Sequence, residues 1–265
     1  VKNFPLIIIG VLLAGSLGSC QSDDSDLKAL VNILLVDSPA KWDSVFVEIE
    51  GVELQVQVAG RESEVQLFFL PYTLGDKVVE VSELIAGKAL LLGRDELPLG
   101  KIIGASLKLG TDHALYYEGE RYLLPSKSLG LNPVLLRKTW KLQSGISYDL
   151  ILDFDLEKSI QVNSQTPLSF ELKPFVRGFS AIGTGELKGS VAPSTLRPAL
   201  YALSQTDTLS THVNSAGSFS LRLPPGKYTF LLDSKDERYK SAIIPDVEIV
   251  SGKSTDLAKI TILPK

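Results

Sequence analysis

The chain has 265 residues, 44% hydrophobic and 22% charged, with 27 Lys and Arg against 31 Asp and Glu. This is ordinary globular composition, and the length has room for two domains. A net charge of −4 supplies neither the basic footprint of a nucleic-acid binder nor a polybasic face for anionic lipid, so no nucleic-acid partner is expected.

In chain order, Val1-Lys2-Asn3 brings one positive charge and Phe4 to Leu17 an apolar run. The run fits a secretory core of roughly 7–15 residues better than a spanning helix of about 20. Pro5, Gly10 and Gly15 weaken it further as a long helix. It ends in Leu17-Gly18-Ser19-Cys20, which resembles a bacterial lipoprotein signal, with small side chains beside the cut. The resemblance implies cleavage before Cys20 and a diacylglycerol on its thiol; ordinary signal cleavage and an uncleaved anchor are the alternatives. Cys20 is the single cysteine, so it has no disulfide partner within the chain. Residues 1–19 then form the signal peptide and 20–29 an acidic tether of a composition that buries little. Gln21 is not the Asp that typically retains lipoproteins in the inner membrane. The acidic pair Asp23-Asp24 resembles the export tag of surface lipoproteins in some Gram-negative bacteria. The expected location is the outer membrane, held through Cys20, with cell-surface exposure as a further expectation.

Beyond the tether, alternation with period two dominates. Val52, Leu54, Val56 and Val58 fall on one face of an extended run, as do Ile103, Ala105, Leu107 and Leu109. Tyr117-Glu118-Gly119-Glu120 between Ala114-Leu115-Tyr116 and Tyr122-Leu123-Leu124 reads as a hairpin turn. One helical turn is expected near Val81-Ser82-Glu83-Leu84-Ile85, with Ser82 as its cap. The fold class is all-β, with two β-sandwich domains in tandem at residues 30–178 and 179–265.

Leu30 to Arg177 carries a series of motifs. Val31-Asn32-Ile33-Leu34-Leu35-Val36 runs into an Asp37-Ser38-Pro39 turn, and Glu96-Leu97-Pro98-Leu99-Gly100 and Tyr122-Leu123-Leu124-Pro125 follow. Leu152-Asp153-Phe154-Asp155-Leu156-Glu157-Lys158-Ser159-Ile160 and Leu172-Lys173-Pro174-Phe175-Val176-Arg177 complete it. This order resembles a bacterial family known only as domain of unknown function 4382. The resemblance implies a domain boundary and a lipoprotein context; it implies no activity.

Within that stretch, Ile146, Tyr148, Leu150, Leu152, Phe154 and Leu156 share one face and read as core. Asp149, Ile151, Asp153, Asp155 and Glu157 share the other. Asp153 and Asp155 have a spacing that could hold Ca²⁺ if loop carbonyls joined them. Against that stands a solvated strand face, with Asp155 capping a short turn through Glu157-Lys158-Ser159. Trp42, in the loop between Asp37 and Asp43, reads as an apolar plug or as a stacking platform for a sugar. Arg137-Lys138-Thr139-Trp140-Lys141 reads as an edge strand guarded by basic residues.

From Gly185 a second strand series begins. Asn214-Ser215-Ala216-Gly217-Ser218-Phe219 and Pro224-Pro225-Gly226-Lys227-Tyr228 give it two tight turns with rings returning to a core. These turns resemble those of carboxypeptidase-regulatory-like (prealbumin-like) β-sandwich modules, which implies a spacer or docking role.

Catalytic arrangements are missing from the sequence. His113 and His212 fall in different expected domains and have no motif partner. Gly178-Phe179-Ser180-Ala181-Ile182-Gly183 sets its second glycine one place late for a nucleophile elbow. Neither zinc spacing nor a phosphate loop occurs. The expectation is a non-enzymatic lipoprotein without cofactor that binds or presents an envelope protein or glycan partner. A fimbrial-type subunit and a glycan-binding lipoprotein are the alternatives.

Overall fold

The computed structural model describes residues 27–38, 41–61, 63–126, 130–136, 138–205 and 208–265. Cys20, the signal segment and Arg137 lie outside the described residues. The protein is all-β, 65% strand and 4% helix.

The N-terminal sheet is built from β1 (Lys28–Ser38), β2 (Ser44–Val58), β3 (Val65–Pro71), β4 (Val78–Glu80), β5 (Leu90–Pro98), β6 (Gly100–Tyr117) and β7 (Glu120–Leu123). It continues through β8 (Leu131–Leu136), β9 (Trp140–Leu142), β10 (Ser147–Asp155) and β13 (Val176–Ser180); between β10 and β13 the chain forms the helical turn α1 (Leu156–Ser159) and a separate two-stranded sheet, the hairpin of β11 (Ile160–Gln165) and β12 (Leu168–Leu172). Its main path runs β3-β2-β6-β8-β13-β10-β1-β5. The β1–β10 and β8–β13 pairs are parallel and the other pairs on that path antiparallel. The sheet curls until β5 meets β3, where a Cβ on Gly93 would lie 2.9 Å from the Leu70 Cβ. Inside the curl, Val31, Ile33 and Leu35 meet Val45, Val47, Ile49, Leu54, Leu107, Leu152 and Phe154, all fully buried.

Long strands need phase changes to keep one face dry. In β2 the buried positions run Val45, Val47, Ile49 and then Val52, Leu54, Val56. The phase slips at Gly51, where a Cβ would collide with the Leu70 carbonyl of β3. In β6 a register shift between Gln55 and Val56 of β2 leaves Ile103 outside the pairing, so Ile102 is the buried residue. The sequence pattern, read as unbroken, assigns that place to Ile103.

Gly110-Thr111-Asp112-His113 has the composition of a turn, yet it lies inside the 18-residue β6. A bulge replaces the turn, held from the neighbouring strand. The Glu48 carboxylate accepts from Thr111 N at 2.6 Å and Asp112 N at 2.9 Å. Those backbone donors, Asp112 first, hold Glu48 below the usual carboxylate range. A Cβ on Gly110 would collide with that carboxylate. His113 Nδ1 accepts from Glu48 N at 3.0 Å, which finishes the clamp.

The expected hairpin is present, with Glu118 and Gly119 at φ +53° and +79° joining β6 to β7. The turn at Val81–Glu83 is 3₁₀, and Ser82 does not cap it; its hydroxyl accepts the Val45 N–H at 3.0 Å.

The C-terminal sandwich contains β14 (Gly185–Ala192), β15 (Ala199–Leu203), β16 (Thr208–His212), β17 (Ser218–Leu223), β18 (Gly226–Asp233), β19 (Ala242–Ile249), β20 (Ser254–Asp256) and β21 (Ile260–Thr261). One sheet runs β17-β14-β20 with β21 also on β14, and the other β16-β15-β18-β19. Leu187, Leu200, Phe219, Phe230 and Leu232 form a core separate from that of the N-terminal sheet. Asn214 Oδ1 accepts from Ala216 N and Ser218 N, both at 3.0 Å, closing the turn that returns Phe219 to this core. Tyr228 donates its hydroxyl to the Pro224 carbonyl at 2.9 Å, which pins the Pro-Pro-Gly turn. The terminal strands β20 and β21 pair in parallel with β14 of the same sandwich.

Candidate functional site

The two cores meet along the outer face of β1, β10 and β13. Alternation in β10 sends Leu150, Leu152 and Phe154 into the N-terminal core, and Ile151, Asp153 and Asp155 outward. Ile146, which precedes the strand, remains 38% exposed and does not join that core. The outward face is not solvated, because the C-terminal sandwich covers it; Asp153 and Asp155 are 3% and 5% exposed.

Register supplies the countercharge. Arg177 of β13 lies opposite Asp153 of β10. Its Nη2 sits 2.6 Å from Asp153 Oδ2 and 3.6 Å from Asp155 Oδ2. Its Nη1 donates to the Thr208 carbonyl of β16 at 2.6 Å, so one guanidinium ties both carboxylates to the second core. Asp155 also caps α1, accepting from Lys158 N at 3.1 Å and Lys158 Nζ at 2.9 Å. That cap is the one the sequence pattern implies. A calcium ion would have to take the place the guanidinium holds, and among the described residues no three His, Cys, Asp or Glu side chains gather as a metal site.

Beside this cluster is a cavity of about 170 Å³, walled by Leu34, Val36, Ile151 and Phe179 on one side and by Leu209 and Leu221 on the other. Ala86 N donates to Thr211 Oγ1 across the seam at 3.0 Å. Next to it Gly87, at φ +89°, lies so close to Ser220 that a Cβ would be 3.1 Å from the serine Cβ.

A more polar cavity of about 210 Å³ opens further along, between Trp42, Asp43 and Glu83 on one side and Arg197 and His212 on the other. Trp42 packs edge-on against Tyr117 at 5.4 Å and Phe170 at 5.3 Å, and Tyr122 joins Phe170 at 5.0 Å. Asp43 accepts from Gly119 N at 2.9 Å, fastening this loop to the β6–β7 turn. The half-buried indole thus packs on rings at the end of the sheet. Tyr72 is 4% exposed, and Tyr116 packs on Phe46 at 5.8 Å, so Trp42, Tyr72 and Tyr116 form no flat row for a sugar.

The two histidines stay apart. His113 is buried in β6, and burial holds its imidazole below the usual value. His212 is half-buried in β16, with Nδ1 3.3 Å from the Arg197 carbonyl. Arg177 is the residue of this site that local pattern does not reveal. It ends a family motif in the sequence, but only the β10–β13 register shows what it faces.

The fold and the seam define an all-β protein with two cores joined through buried charge. Residues 28–174 match the profile of the family described as "Domain of unknown function (DUF4382)", and the chain belongs to that family. No curated protein matches the chain. A solved cohesin–X-module–dockerin complex from Acetivibrio cellulolyticus is similar at 18% identity, over 30% of this chain and 58% of that chain, with a TM-score of 0.25. The TIE protein of Bacillus anthracis is similar at 12% identity over 90% of this chain and 34% of its own, with a TM-score of 0.23. A minor pilin of Streptococcus agalactiae is similar at 12% identity over 88% of this chain and 97% of its own, also with a TM-score of 0.23.

Proposed function

We propose that the protein is a lipid-anchored bacterial envelope protein that binds or presents a partner and carries out no bond chemistry of its own. The observation that carries the reading is Leu17-Gly18-Ser19-Cys20, with the single cysteine of the chain placed after an apolar run. Strand β1 begins at Lys28, so the acidic stretch after Cys20 leads directly into the sheet. Two acyl chains on Cys20 would hold the protein on the outer membrane without a spanning helix.

Support for a non-catalytic role comes from the seam. Asp153 and Asp155, whose spacing offers a ligand or cation site in the sequence, are engaged by Arg177 and Lys158. In this reading the C-terminal sandwich serves as a carboxypeptidase-regulatory-like spacer or docking module, which its Asn214 and Pro224 turns support.

The test is metabolic labelling of expressing cells with an alkyne fatty acid, followed by envelope fractionation. The wild-type chain takes the label and sediments with outer membrane, whereas Cys20→Ser loses the label and its lipid-dependent retention. A labelled Cys20→Ser chain, or an unmodified thiol on the processed wild-type protein, refutes the reading.

A further inference from the structure

Strand β3 is an end of the N-terminal sheet, paired among the described residues with β2 alone. Edge strands offer unpaired main-chain groups to other chains, and proteins blunt them with charge, proline or bulges. Two other long edges of this molecule are blunted in those ways. The β5 edge exposes Arg94, Asp95 and Glu96 and has a register shift opposite Ile33 and Leu34. The β19 edge carries Pro245 and Asp246, the latter at φ +57°, and has a shift of its own.

Strand β3 has no charged side chain, and its register with β2 is unbroken from Val65 to Pro71. Proline enters only at its last position. Its outward face is apolar, with Val65 49%, Leu67 61% and Phe69 44% exposed. On its inward face Leu70 is buried and Phe68 packs on the core, with the half-buried Gln66 beside them. β5 closes on β3 at Leu70, while Val65 to Phe69 stay exposed or half-buried.

We propose that β3 pairs with β3 of a second copy of this chain, antiparallel and centred on Leu67. That register sets Leu67 opposite Leu67 and Val65 opposite Phe69 on one face. A two-fold axis thus sets the apolar row beside its own image, as an isologous contact requires. The ladder runs over the five residues Val65–Phe69, and it buries well under the ~800 Å² that a standard interface takes from each partner. The contact is therefore weak in dilute solution and fills as copies crowd together, with main-chain hydrogen bonds setting the register. The proposal goes beyond the anchoring reading and needs only the edge of β3.

The test exploits the single native cysteine. The full chain with Cys20→Ser and Leu67→Cys, in detergent solution, has one thiol, placed on the proposed axis. Directly opposed residues of an antiparallel pair lie about 4.5–5.5 Å apart between Cα atoms, within disulfide reach. Under mild oxidation this chain forms covalent dimer about ten-fold faster than a Cys20→Ser, Asp95→Cys chain with its thiol on the blunted β5 edge. A Val65→Cys chain alone stays at the control rate. Mixed with a Phe69→Cys chain, it gives the heterodimer. Equal rates for Leu67→Cys and Asp95→Cys overturn the proposal, as does Val65→Cys crosslinking to itself as fast as Leu67→Cys.

Discussion

Arg177 stands directly across the β10–β13 ladder from Asp153, and the same guanidinium reaches the Thr208 carbonyl of the C-terminal sandwich. One side chain thus neutralises a buried carboxylate and ties two separately packed cores. Removing it takes from the buried Asp153 the guanidinium 2.6 Å away and leaves Asp155 to Lys158. Arg177→Met is expected to lower stability by about 3–5 kcal/mol in guanidinium denaturation. Arg177→Lys recovers little, because an ammonium cannot bridge two acceptors in a fork. A loss of under about 1 kcal/mol would mean that water already screens the cluster.

Burial gives His113 a second consequence. Its folded-state pKa lies below the unfolded value, so the unfolded chain binds the extra proton more readily. The contribution is full above the unfolded value of about 6.5 and is lost as pH falls from there through the lower folded value. Melting temperature should therefore decline between about pH 6.5 and 5, before most carboxylates titrate. His113→Gln should flatten that decline even if it melts lower throughout. An unchanged slope in the variant would rule His113 out as its source.

Trp42 as a plug and Trp42 as a binding platform predict different outcomes. Edge-on packing against Tyr117 and Phe170 makes Trp42→Ala destabilising by about 2–4 kcal/mol, with Trp42→Phe intermediate. A platform residue would leave the melting temperature unchanged, which differential scanning calorimetry can decide.

Gly87 should be intolerant for two independent reasons. Its φ of +89° strains any other residue, and a Cβ would press on Ser220 across the seam. Gly87→Val is expected to cost about 2–3 kcal/mol and to speed hydrogen exchange at Ala86, whose N–H bonds to Thr211 Oγ1. Protection at Ala86 equal to wild type would show the seam unaffected.

What the sequence made legible was local. Period-two alternation identifies the all-β class, and Asp155 can be read as a cap because its partner Lys158 is three residues away. The turn after β6 is legible through Gly119, whose φ of +79° suits a glycine, although Glu118 takes a positive φ beside it. Asp153 could not be matched to its countercharge, since Arg177 lies 24 residues on and reaches it only through strand register. The same limit explains His113: its segment reads as a turn until Glu48, on another strand, clamps it as a bulge. Ser82 has the chemistry of a cap, yet its hydroxyl answers an N–H 37 residues away. Ile103 gives way to Ile102 because alternation within one strand does not announce a slip against its neighbour.

Strand β1 is flanked by β10 on one side and β5 on the other, and it opens the sheet in chain order. A pull arriving along the backbone at Lys28 acts along the axis of that strand. Both flanking ladders then bear the load together in shear, where a hairpin at the rim would unzip rung by rung. Mechanically, the chain enters its sheet at a grip and not at a seam that peels.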